Sequence, residues 1–167
     1  LGVLTSCIKQ VDAGEIGIKV LFGNVQNDIL GSGLHFVNPL LDIKKLDVKT
    51  QNYTMSGIHD EGTVQGDDAI RVLTSDGLEV TIDLTVLYRV VASDAPRLLR
   101  ETGDDFKEKI VRPITRTKIR DNAVYYQAVD LFGGKRDEFQ LRIYKSIEDD
   151  FKKRGLMLEQ LLVRNIT

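Results

Sequence analysis

The sequence predicts an α+β fold, a mostly antiparallel twisted sheet followed by helices packed against it, in two subdomains. Three observations carry this. Up to Val91, short apolar–polar alternations are punctuated by glycine and aspartate turn signals. Beyond it, apolar residues recur at steps of three and four. From Leu156 the pattern returns to strand, and strands first with helices later is the α+β signature. At 167 residues the chain can bury a core without staples. The divisions expected are 1–10, the tail of an N-terminal membrane anchor or lipoprotein signal region; 11–90, a β-rich subdomain; and 91–167, an α/β subdomain.

The first strand is expected around Ile16, Ile18 and Leu21, with Gly23-Asn24 as its turn and Val25 to Leu30 as the returning partner. Gly31-Ser32-Gly33 leads into Leu34-His35-Phe36-Val37-Asn38-Pro39, where proline interrupts any ladder. Ile43, Leu46 and Val48 among lysines and aspartates suggest a half-buried strand of irregular register, extended by Gln51 to Met55. The polar stretch from Gly57 to Asp68 is expected to be a mobile loop. Ala69 to Thr74 and a strand beginning at Leu78 flank Asp76-Gly77, a hairpin signal. Leu78, Val80, Ile82, Leu84, Val86, Tyr88 and Val90 then alternate with a mostly polar set. That puts one face in the core and the other mostly in water, and the unusual length invites a bulge.

Ser93 is placed to cap a short helix with Pro96 in its first turn and Gly103 past its end. Asp104 or Asp105 would cap the next, running from Phe106 towards Tyr126 with Phe106, Ile110, Ile114 and Thr117 inward and a kink at Pro113. Gly133-Gly134 breaks the pattern. A last helix carries Phe139, Ile143, Ile147 and Phe151 at steps of four and ends at Gly155 before a strand from Leu156 to Val163.

Composition excludes several functions. Hydrophobic content of 42% and charged content of 29% are ordinary globular values. A net charge of −2 supplies no field for nucleic acid, and the aromatics are not interleaved with Lys/Arg. One cysteine allows neither an internal disulfide nor a cysteine metal cluster. His35, in a glycine-flanked turn, suits a structural hydrogen bond. His59 with Asp60 and Glu61 lacks metal-ligand spacing and reads as a solvated loop. Gly31-Ser32-Gly33 lacks the ending of a phosphate loop, and there is no nucleophile elbow. Neither an enzyme nor a cofactor is expected.

Three surfaces remain as candidates. Leu4-Thr5-Ser6-Cys7 reads either as a lipobox, making Cys7 a lipid anchor, or as an unmodified thiol at the end of a transmembrane helix. Leu1 to Leu4 are far short of the roughly 20 apolar residues a span requires. Phe36, Val37, Leu40 and Leu41 surround Pro39 and, exposed together, would contact a membrane; packed under the sheet, they would be core. Lys109, Arg112, Arg116 and Arg120 share one helix face, and Glu148, Asp149 and Asp150 form an acidic run. These read as a solvated surface with local pairs such as Asp105–Lys109 and Glu108–Arg112, or as two halves of an oligomer interface between neighbouring copies.

The order of these parts resembles the stomatin–prohibitin–flotillin (SPFH, or Band 7) family, and prohibitins most closely. The resemblance runs from about Lys9 to Ile166 through Val11 to Glu15, Gly31-x-Gly33-x-His35-Phe36-x-x-Pro39, Tyr88-Arg89-Val90, Arg112-Pro113-Ile114-Thr115, and Gly155 to Leu158. It implies a membrane-anchored scaffold that oligomerises into a ring or cage, organises a membrane microdomain and regulates a membrane AAA+ protease. Its partners would be other copies, membrane lipids and that protease, with no nucleic acid. The setting would be a bacterial cell envelope or, alternatively, the mitochondrial inner membrane. In that family a C-terminal coiled coil begins about where this sequence stops. The competing expectation is a stomatin-like monomeric or dimeric adaptor that modulates one membrane protein directly.

Overall fold

The computed structural model describes residues 7–58 and 61–167. The lipobox reading of Leu4 to Ser6 and the His59–Asp60 cluster therefore lie outside the described residues. Nine strands and four α-helices are described: β1 (Ile8–Val11), β2 (Glu15–Leu21), β3 (Asn24–Leu30), β4 (Gly33–Phe36), β5 (Leu41–Asp47), β6 (Gln51–Met55), β7 (Ile70–Leu73), β8 (Glu79–Val90), α1 (Ala95–Thr102), α2 (Arg112–Ala123), α3 (Ala128–Phe132), α4 (Arg136–Lys153) and β9 (Leu156–Ile166). All strand pairings are antiparallel, and the fold is the expected α+β arrangement.

The amino-terminal part holds a β1–β4 ribbon and a β3–β2–β5 sheet. The β2–β3 turn is one residue earlier than the sequence suggests: Leu21 pairs with Asn24, so Phe22-Gly23 makes the connection. The irregular register expected around Ile43 and Leu46 is not in β5, which pairs with β2 without a shift from Glu15–Asp47 to Leu21–Leu41. Ile43 and Leu46 simply use opposite faces. On the Ile43 side Gly17 leaves the room, since a Cβ there would stand 2.8 Å from the Ile43 side chain and 3.1 Å from that of Val11. The irregularity lies between β2 and β3.

The second sheet is organised around β8. One edge of β8 takes β6 against Leu84–Tyr88 and β7 against Glu79–Ile82, and the other takes β9 along Ile82–Val90. The expected bulges belong to β9, whose extra residues are Glu159 and Arg164. Leu78 is exposed beside the turn rather than buried. On the far face of β8, expected to be mostly wet, Asp83 and Thr85 are buried. The segment after β6 explains this. Ser56 Oγ (3.3 Å) and the Gly57 N–H (3.0 Å) donate to Asp83, and the Thr54 and Thr85 hydroxyls meet at 2.9 Å. The described part of the 57–68 loop is pinned at its middle and its far end, by Thr63 N–H to Thr54 O and Asp68 N–H to Ser56 O, each 2.8 Å.

Helix entry differs from expectation. A 3-10 turn over Ala92–Asp94 absorbs Ser93, so α1 begins at Ala95 without a side-chain cap; Gly103 ends it at φ +70°. Asp104 pairs with Lys44 at 3.2 Å instead of capping, and neither it nor Asp105 caps by side chain. The chain then makes a π turn over Lys107–Val111, immediately before Pro113, where the expected kink would fall. A π turn holds one residue more than an α turn, so inward positions beyond it move one residue along. Thr115, Ile119 and Ala123 are buried, while Ile114 is half-buried and Thr117 exposed. In α4 the expected face is intact: Phe139, Ile143, Ile147 and Phe151 are all fully buried. Each contributes about 1.5–3 kcal/mol of transfer free energy. Tyr88 of β8 meets Phe106 and Phe151 edge-on, with centroids 6.3 Å apart in both pairs, joining sheet and helices in one core.

Candidate membrane-facing corner and charged helix face

Pairing alone brings the apolar residues of the first candidate together. In the β1–β4 ribbon Ile8 stands opposite Phe36 and Gln10 opposite Leu34, so Ile8, Leu34 and Phe36 share one face. Among the described residues nothing covers that face: Phe36 is 83% and Leu34 71% exposed. After Phe36 the chain turns, with the Leu41 N–H bonded to Asn38 O (2.9 Å) and the Leu40 N–H to Asn38 Oδ1 (3.0 Å). Leu40 is exposed at this turn. Beside it, the Leu21–Leu41 pair brings in Phe22, 80% exposed.

Of the four residues named from sequence, Phe36 and Leu40 are therefore exposed and Leu41 is half-buried. Val37 is buried, and its N–H donates to Cys7 O at 2.8 Å. Cys7 is a free, half-buried thiol at this same corner. Sequence reasoning missed Ile8, Phe22 and Leu34. The signal for Phe22 was its position between an apolar strand and Gly-Asn; for Leu34 and Phe36 it was their spacing of two. The imidazole Nε2 of His35 lies 2.6 Å from Gly31 O, closing the glycine turn that presents Leu34.

The charged helix face is only partly a surface. Arg112 pairs with Asp68, and Arg116 reaches the Asp68 carboxylate at 3.4 Å and its carbonyl oxygen at 3.2 Å. Asp68 itself is buried. Burial, then the charge of Arg112, pushes the Arg116 guanidinium pKa down; the hydrogen bond to Asp68 pushes that of Arg112 up. Both arginines are committed within the chain. Lys109 donates to Thr102 O at 3.1 Å, and Arg120 lies exposed in a shallow groove with Arg71, Leu73, Val124 and Tyr125. The local pairs suggested by sequence are replaced by others: Glu108 accepts from the Tyr53 hydroxyl at 2.9 Å, and Lys118 pairs with Asp150 at 3.5 Å. Glu148 is half-buried and Asp149 exposed. Asp68 was missed because an Asp pair before a strand gives no signal of the helix that it meets 44 residues later.

Among the described residues no helix is long and apolar enough to cross a membrane, and no group of three His, Cys, Asp or Glu is placed to hold a metal.

Comparison with known proteins agrees with this architecture. The family described as SPFH domain / Band 7 matches residues 9–167. Prohibitin 1 of Bos taurus and of Mus musculus are each 24% identical over 172 residues, covering 99% of this chain and 57% of the relative. Prohibitin 1 of Gallus gallus is 23% identical over 168 residues. The chain thus spans a little over half the length of the curated relatives it matches. On the family match across nearly all its residues, the chain belongs to the SPFH domain / Band 7 family.

Proposed function

We propose that this chain is the membrane-proximal domain of a prohibitin-like scaffold, anchored at its amino-terminal side and associating laterally with other copies. The observation that carries this reading is the uncovered apolar corner formed by Ile8, Leu34, Phe36 and Leu40. An isolated soluble domain gains nothing from such a cluster, whereas a bilayer surface buries it. Cys7 belongs to the same corner, so either anchor, a lipid on its thiol or a preceding apolar helix, would deliver the corner to the headgroups.

Lateral association would enclose a membrane patch and organise its lipids and proteins, and a membrane AAA+ protease would be a client. A bacterial cell envelope is the proposed setting, with the mitochondrial inner membrane as the alternative. The test is to image full-length protein in mild detergent and weigh the same sample. A closed assembly of many copies is expected. Monomers or dimers would replace the scaffold with a stomatin-like adaptor. Separately, Phe36→Asp is expected to weaken vesicle binding of a folded protein, and unchanged binding would remove the corner from the bilayer.

A further inference from the structure

The β2–β3 hairpin has a tip whose backbone works against its sequence. Leu21 pairs with Asn24, and both linking residues have positive φ, +49° at Phe22 and +80° at Gly23. Two-residue turns of this kind take Asn, Asp or Gly, because a Cβ crowds the backbone in the left-handed region. Phe22 is bulky, has no side-chain hydrogen bond to offer, and is 80% exposed. It therefore carries the strain of the left-handed conformation and receives almost no packing in return from the described residues.

We infer that Phe22 is a membrane-inserting tip, with lipid supplying the contacts that the domain does not. This rests on the membrane-facing reading of the corner and adds a residue and a depth to it. Three observations select lipid as the occupant. The hairpin tip stands free, since a Cβ built on Gly23 meets nothing within 4 Å. The stretch from Val20 to Val25 holds no charged residue, and neither does Val37 to Leu41 beside it. The nearest charges lie behind the tip: Asp42 stands opposite Val20, Arg100 bonds the Asn27 side chain, and Lys19 faces Asp28 at 4.0 Å. A protein interface would carry a polar rim with arginine around its aromatic anchor; an uncharged tip ending in an aromatic suits the headgroup–acyl boundary.

The chain has no tryptophan, so Phe22→Trp, Phe36→Trp and Phe132→Trp each create a single tryptophan that can be excited apart from the tyrosines. With vesicles of phosphatidylcholine and phosphatidylglycerol carrying brominated acyl chains, Trp at 22 is expected to shift to the blue and be quenched. Trp at 132, on α3, serves as the control and should do neither. Quenching at 36 without quenching at 22 would overturn the Phe22 assignment and leave the corner facing the membrane. Quenching at neither would overturn both, and equal quenching at 22 and 132 would mean non-specific adsorption and overturn the assignment. A second variant reads the strain: Phe22→Asn should raise the melting temperature while lowering vesicle partitioning about tenfold. A fall in melting temperature, or unchanged partitioning, would overturn the inference.

Discussion

The guanidinium of Arg116 and the carboxylate of Asp68 meet at 3.4 Å across 48 residues of sequence, fastening the end of the 57–68 loop to α2. Asp68 is 4% exposed and also pairs with Arg112. Asp68→Asn would leave two partly buried guanidiniums without their counter-charge. Because removing one partner of a buried pair leaves the other desolvated and unpaired, the expected loss is about 3 kcal/mol. A shift in the urea midpoint at constant m-value measures it. A loss below about 0.5 kcal/mol would place the pair among ordinary surface contacts.

The Thr74–Leu78 turn ties stability to acid pH. Asp76 accepts from the Thr74 hydroxyl, which holds its carboxyl below the ordinary 3.8, and also from the Ala128 N–H at 3.3 Å. A carboxyl whose folded pKa is depressed contributes stability that is complete above its unfolded value and disappears as pH falls through the folded one. Stability should therefore fall more steeply, as pH drops below the ordinary carboxylate value of 3.8, with this group present. Asp76→Asn should flatten that part of the stability–pH curve while leaving its slope near pH 7 unchanged. An identical acid limb in both proteins would remove the contribution.

The π turn makes a prediction opposite to the sequence pattern. Periodicity from Phe106 and Ile110 points to Thr117 as an inward residue, yet Thr115 is fully buried and Thr117 exposed. Thr117→Glu should change stability by no more than about 0.5 kcal/mol. Thr115 Oγ1 has no hydrogen-bond partner among the described residues. Thr115→Val should therefore stabilise by about 1 kcal/mol, because it removes a desolvated hydroxyl without changing shape. Thermal denaturation of both variants checks the register.

That helix shows where the sequence was legible and where it was not. Elements whose pattern answers to one face, such as α4 with Phe139 to Phe151, could be read directly, and so could the Asp76-Gly77 hairpin. What escaped depends on partners distant in sequence. Asp83 and Thr85 looked solvent-facing because the segment that satisfies them comes from the end of β6. The inserted π-turn residue carries no compositional mark, so the buried face runs through Thr115 and Ile119 instead of Ile114 and Thr117. The apolar corner was half legible: Phe36 and Leu40 stood out beside Pro39, but Ile8 joined them only through the β1–β4 pairing, and Val37 left them because its amide is held by Cys7.

Lateral association is best tested with residues that the fold does not already hold in an ion pair. Arg116→Glu would set a carboxylate against Asp68 and destabilise the domain whatever its role between copies, so a loss of assembly would be uninformative. Lys109, Arg120 and Asp149 are exposed, and among the described residues none of the three belongs to an ion pair; Lys109 keeps only its exposed bond to the Thr102 carbonyl. If the basic face meets the acidic run of a neighbour, Lys109→Glu with Arg120→Glu should shrink full-length assemblies at low salt and leave the melting temperature of the isolated domain unchanged. Adding Asp149→Lys should restore part of the assembly by reversing the opposing charge. The effect should fade at about 1 M salt, where the Debye length falls to about 3 Å. Assemblies of unchanged mass in the double variant at low salt would exclude this face from the contact.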